Sequence, residues 1–319
     1  MRIAYLGSGE FGLPTLRALA DRHTISCVVS QPDRPAGRGS KLTPTPIAAF
    51  AAEHLAGVPL IKPEDVNTPE IIAAIHRTQP EAMVVIAFGQ KLSPQLVEPA
   101  LPNFRGAINL HASLLPRHRG AAPINWAILS GDSVTGNSVI SIAQRMDAGL
   151  IYGQSTRPIE PTHTAGELHD LLSQDGPALM LRVLDELAAG TARGLPQDES
   201  LKTRAGKLSR EMAVLDLREP AEACRRRING LSPWPGVTVS FRGQPLKLLR
   251  ALSHPQYPID GVLPGQFVNP RQGFLATGDG ALQILDVQPA GKRVMSWPDF
   301  ANGAQVNPEE SLSGGPPPC

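Results

Sequence analysis

The 319-residue chain carries 30 Lys+Arg against 29 Asp+Glu, is 41% hydrophobic and holds three cysteines. That is the composition of a globular protein long enough for two domains, each with its own core. No apolar run approaches the roughly 18 to 20 residues of a membrane helix, and no basic region or cleavage site marks a signal peptide. A cytoplasmic protein without membrane attachment is expected. Cys27, Cys224 and Cys319 are far apart and lack metal-ligand spacing, which argues against a disulfide framework and a zinc site.

Residues 1–200 hold 16 Lys+Arg against 19 Asp+Glu, and residues 201–319 hold 14 against 10, so net −3 stands beside net +4. A basic C-terminal part would suit a polyanion such as RNA. Scatter of charge over a solvated surface accounts for the same figures.

In chain order, Ile3 to Leu6, Ile25 to Val29, Ala82 to Phe88 and Ala107 to Leu110 read as strands. Between them Phe11 to Ala20, Ile47 to Leu55, Pro69 to Ile75 and Pro123 to Leu129 carry apolar residues at three- and four-residue spacing. This alternation predicts an α/β domain over residues 1–190: a Rossmann-like, mainly parallel sheet with helices on both faces. A helical pattern from Thr164 to Ala189 closes it, with a break expected at Asp175-Gly176-Pro177, since proline lacks the donor a helix interior needs.

Residues 191–206 read as a linker. Beyond it Glu219 to Ile228 reads as a helix. Val237 to Phe241, Leu246 to Leu252, Gly265 to Val268, Phe274 to Thr277 and Ala281 to Val287 read as short strands, with hairpin turns at Arg242-Gly243-Gln244 and Gly278-Asp279-Gly280. An open, OB-like β-barrel over residues 207–306 is expected. The Pro/Gly-rich tail, 307–319, is expected to be disordered.

Gly7-Ser8-Gly9-Glu10-Phe11-Gly12 follows a strand and opens a helix, as in a dinucleotide fingerprint. The second strand, however, runs into Ser30-Gln31-Pro32 with no acidic residue for a ribose, so NAD is not expected. Tight turning and close helix packing explain the glycines. The loop from Gln31 to Pro46 is long for a βα connection and carries Arg34, Arg38 and Lys41, a set suited to phosphates as well as to solvent.

The richest segment is Gly106 to Gly120, GAINLHASLLPRHRG, followed by Arg145-Met146-Asp147-Ala148-Gly149. Alternate strand residues share a face, so Asn109 and His111 project together toward the carboxyl edge, where open α/β folds build sites. An amide, an imidazole and a carboxylate suit acyl transfer to an amine. Asn109 donates to the developing oxyanion. His111 exchanges a proton near neutral pH. Asp147 orients the imidazole. The amine is its own nucleophile, so no serine or cysteine is needed.

The stretch from Asn109 to Gly120, together with Asp147, closely resembles the active-site signature of the folate-dependent formyltransferases. The resemblance implies that Asn109, His111 and Asp147 are catalytic and that the donor is 10-formyltetrahydrofolate, with no metal. It places the pterin near Ile86-Ala87-Phe88-Gly89-Gln90 and the loop before Asp147, and it implies substrate or folate contacts by Phe88, Gly89 and Gln90 and by the turn Ser113, Leu114, Leu115 and Pro116.

Within that family the chain is most similar to members that formylate the methionyl amine on initiator tRNA. The Gln31 to Pro46 arm, Ser232-Pro233-Trp234-Pro235-Gly236 and Gly278-Asp279-Gly280 carry that similarity. They imply tRNA contacts by Arg34, Arg38, Lys41, Arg226 and Lys247. No obligate protein partner is implied. An amino sugar as acceptor, or hydrolysis of the donor, would use the same trio. Asn137-Ser138 and Ile151-Tyr152 depart from the Val-Thr and Asp-Thr usual there.

Overall fold

A computed structural model describes residues 1–36 and 41–313. The chain divides into two compact units: Met1–Gly120 with Gly136–Arg157 and His169–Arg204, and Ala121–Thr135 with Pro158–Leu168 and Ala205–Cys319.

The first unit is built on seven strands: β1 (Arg2–Gly7), β2 (Thr24–Val29), β3 (Leu60–Ile61), β4 (Ala82–Ile86), β5 (Ala107–His111), β6 (Val134–Ser141) and β7 (Ile151–Pro158). Their order is β7-β6-β5-β4-β1-β2-β3. The pairs β1–β2, β1–β4, β2–β3 and β4–β5 are parallel, and β5–β6 is antiparallel. Every residue of β4 is buried, as expected of a parallel strand covered on both faces. Two of the helices of this unit start where threonine precedes proline. Thr45 accepts from the Ala48 N–H before Pro46–His54, and Thr68 accepts from the Ile71 N–H before Pro69–Arg77. Each threonine satisfies one orphan donor, and the proline costs nothing at the first helical position.

The glycine motif after β1 serves packing. A Cβ on Gly12 would stand 2.1 Å from the hydroxyl of the fully buried Tyr5, which donates to the Gly12 carbonyl at 2.9 Å. The expected break at Asp175-Gly176-Pro177 does not occur, and the helix Ala165–Ala189 runs through Pro177. Tertiary contacts override the local preference. Arg157 grips Asp175 with two hydrogen bonds, and Gly176 leaves room for Leu110, whose Cδ2 would meet an added Cβ at 2.7 Å.

The second unit contains the antiparallel strands β8 (Val237–Phe241), β9 (Gln244–His254), β10 (Phe267–Asn269), β11 (Phe274–Ala276), β12 (Ala281–Pro289) and β13 (Met295–Ser296). The order is β8-β9-β12-β11-β10, with β13 also on β12. Along β8 burial alternates, so one face meets the core around Trp297. Arg242 and Gly243 both take positive φ, as a two-residue hairpin with the right twist requires.

Of the residues assigned by composition to a disordered tail, Glu310 to Ser313 are instead hydrogen-bonded to the sheet. Ser313 bridges Ser240 on β8, Ser311 bridges Gln266 beside β10, and Leu312 is buried at 2% exposure. One apolar side chain and the open hydrogen-bonding groups of two edge strands hold the segment. Residues 314–319 lie outside the described residues.

Candidate active site

The site lies in the first unit, at the carboxyl ends of β4 and β5. Asn109 sits between Val85 and Ile140, and His111 is opposite Ser138, so both side chains leave the same face of β5. Among the described residues, no hydrogen bond is made to the Asn109 side-chain amide.

His111 is 6% exposed, and its Nε2 lies 2.9 Å from the His118 carbonyl oxygen. A carbonyl oxygen only accepts, so Nε2 carries the proton and donates. Nδ1 is therefore the nitrogen available for proton exchange, and it faces Asp147 Oδ2 at 3.7 Å. That carboxylate also accepts from the Gly120 N–H at 2.9 Å.

The turn Ser113–Pro116 explains how His118 reaches back to His111. Ser113 Oγ donates to the Arg117 carbonyl at 2.7 Å, and Leu115 N–H donates to Ser138 Oγ at 3.1 Å. Ser138 Oγ donates in turn to the Ser113 carbonyl and accepts from Gln154. Asn137 donates to the Leu172 carbonyl, while its buried Oδ1 meets no hydrogen-bond donor among the described residues.

Ala87, His118 and Asp147 all have positive φ, at 47°, 59° and 54°. Such backbone costs of order 1–3 kcal/mol per non-glycine residue and persists only where the surroundings over-determine it. Three of the described non-glycine residues with positive φ stand at this edge.

Phe88 is buried among Leu6, Val29 and Val66, and Gln90 spends its amide on Val66 N–H and the Pro63 carbonyl. Any ligand beside Phe88, Gly89 and Gln90 therefore meets backbone. Next to this segment and the loop before Asp147 lies a cleft of about 630 Å³, lined by Lys91, Leu92, Val97, Ile142, Ala143 and Arg145 among others. Its volume falls in the range of small-molecule sites.

Of the expected RNA contacts, Arg34 pairs with Glu64, and Lys41 is exposed on the ribbon formed by Arg34–Ala36 and Lys41–Thr43. Arg38 lies outside the described residues. In the second unit Arg226 is bound to Glu222, and Lys247 Nζ donates to the Pro233 carbonyl at 2.7 Å. Desolvation holds the Lys247 ammonium below the usual lysine pKa. The residues that sequence reasoning missed are His118, Arg119, Gln197 and Glu199. Only the Arg-His-Arg-Gly run inside the motif hinted at the first two.

A mainly parallel α/β sheet presenting amide, imidazole and carboxylate at its carboxyl edge suits acyl transfer. The chain belongs to the formyl transferase family: residues 1–184 match the formyl transferase model and residues 207–305 match its C-terminal domain. It is 40% identical over 315 residues to the methionyl-tRNA formyltransferase of Moorella thermoacetica, covering 98% of this chain and 99% of that one. It is 41% identical over 304 residues to that of Methylococcus capsulatus, covering 95% and 96%. Among solved structures it shares its fold with WlaRD, a sugar 3N-formyl transferase solved in the presence of dTDP and 5-N-formyl-THF. That likeness has TM-score 0.65 and 14% identity, covering 92% of this chain and 99% of the other. No described helix is long and apolar enough to cross a membrane.

Proposed function

We propose that this chain transfers the formyl group of 10-formyltetrahydrofolate to the α-amine of methionyl initiator tRNA, for translation initiation. The observation that carries the reading is near-full-length identity with methionyl-tRNA formyltransferases, joined to an intact Asn109–His111–Asp147 edge. The folate in the WlaRD structure supports the donor class. The pterin would occupy the cleft beside Leu92, Val97 and Ile142, recognised largely through backbone groups.

The neutral amine attacks the formyl carbon, forming the new C–N bond. Asn109 donates to the oxyanion with its amide, which has no hydrogen-bond partner among the described residues. His111 Nδ1 takes the proton shed by the attacking nitrogen and returns one to folate N10 as the C–N10 bond breaks. Asp147, 3.7 Å from Nδ1, favours the imidazolium formed while His111 carries that proton. The second unit and the arm bearing Arg34, Arg38 and Lys41 would engage the RNA.

The test is transfer of labelled formyl from 10-formyltetrahydrofolate to methionyl initiator tRNA, with an amino sugar in parallel, before and after shortening of residues 34–41. Loss of tRNA formylation on shortening supports the reading. Product on the amino sugar alone, or free formate without any amine, overturns it.

A further inference from the structure

The segment after the long helix, expected to be a linker, supplies a side chain that holds the catalytic loop. We infer that Gln197 is a positioning residue, fixing the Asp147–Gly149 loop so that the Asp147 carboxylate stays against His111.

Gln197 Nε2 donates to the Asp147 carbonyl at 2.7 Å and to the Gly149 carbonyl at 2.8 Å. Its Oε1 accepts from Arg119 Nε at 2.9 Å and Nη2 at 2.7 Å. Both amide hydrogens and both lone pairs are thereby used, a pattern that neither Glu nor Leu can reproduce. Arg119 is 9% exposed, and Gly120, the next residue, gives its N–H to the Asp147 carboxylate. Gln197 therefore ties the main chain of Asp147 to the same short stretch that binds its side chain.

Neighbouring bonds brace the arrangement. Thr203 accepts from His118 N–H at Oγ1 and from Arg119 N–H at its carbonyl. Glu199 binds Arg119 with one oxygen and Arg145 with the other, at 2.9 and 2.6 Å, and these partners hold its carboxyl down to about 2. Asp147 needs the restraint because its positive φ is unfavourable for a non-glycine residue. A carboxylate held 3.7 Å from an imidazole tolerates little drift, since about 1 Å of misplacement can cost roughly 100-fold in rate.

The inference rests on the proposed role of Asp147, and a double-mutant cycle separates the two. Gln197→Glu keeps an acceptor for Arg119 but sets oxygen against both carbonyls. It should lower kcat roughly 10- to 100-fold with a smaller change in the donor KM. Combined with Asp147→Asn it should cost nothing further, because loop placement no longer matters once the carboxylate is gone. Gln197→Leu carries the same comparison if Gln197→Glu lowers the melting temperature. Wild-type kcat in both Gln197 variants, or losses that multiply in the double mutants, would overturn the inference. Wild-type activity in Asp147→Asn alone would instead sink the reading of the site.

Discussion

Replacing Gly149 by alanine tests whether the Asp147 loop is geometrically committed. A Cβ at Gly149 would stand 1.7 Å from the Ser141 carbonyl oxygen and 2.8 Å from Ser141 Oγ, whereas ordinary contact begins at 3.4 Å. One backbone must therefore move by about 1.7 Å. Ser141 resists, because β6 is registered on β5 at Ile108 and Ser141 is hydrogen-bonded to Leu150 through both its N–H and its Oγ. The loop must yield, against the Gln197 bonds to Asp147 and Gly149. Overpacking of this kind costs about 1–3 kcal/mol of stability, and the displacement of Asp147 should lower kcat roughly 100-fold. Steady-state formyl transfer and thermal unfolding read the two effects. Gly303→Ala is the control, since a Cβ there meets nothing within 4 Å. A Gly149→Ala enzyme with wild-type kcat and melting temperature would refute the reasoning.

Further outcomes follow from the site and from the second unit. Asn109→Ala should lower kcat by about 10²–10³-fold, the loss of one oxyanion donor, with little change in melting temperature because its amide has no partner to lose among the described residues. His111→Gln keeps a donor for the His118 carbonyl but cannot shuttle a proton; single-turnover transfer should fall about 10²–10⁴-fold in a folded enzyme. Glu222 is raised by desolvation, but hydrogen bonds from Arg225, Ser253 and Arg226 outweigh this and hold it down to about 2. Its stabilisation is thus complete above the ordinary glutamate range and fades as pH falls toward 2. Glu222→Gln should cost on the order of 2 kcal/mol at pH 7, discounted for partial exposure, with the gap to wild type closing between pH 4.5 and 2. All three tryptophans, Trp126, Trp234 and Trp297, lie in the second unit, so their fluorescence reports that unfolding.

Much of this protein was legible along the chain because the governing geometry is local. Period-two alternation puts Asn109 and His111 on one face of a strand wherever that strand lies. Thr-Pro steps start the helices at Pro46 and Pro69 through contacts three residues away. Apolar spacing marked β1, β2, β4 and β5 and hence the parallel sheet. The strand Ile151–Pro158 escaped notice because its burial never settles into a full apolar face. What only the tertiary structure decided are partnerships across long stretches of chain. Pro177 stays inside its helix because Arg157 and Leu110 pack around residues 175–176. Residues 311–313 find the edges at Ser240 and Gln266, and Gln197 finds Asp147 fifty residues away. The tautomer of His111 is set the same way, by the carbonyl of His118, whose approach depends on the whole turn between them. Local periodicity constrains where a side chain points, whereas the group it meets is fixed only once the folded chain has closed around it.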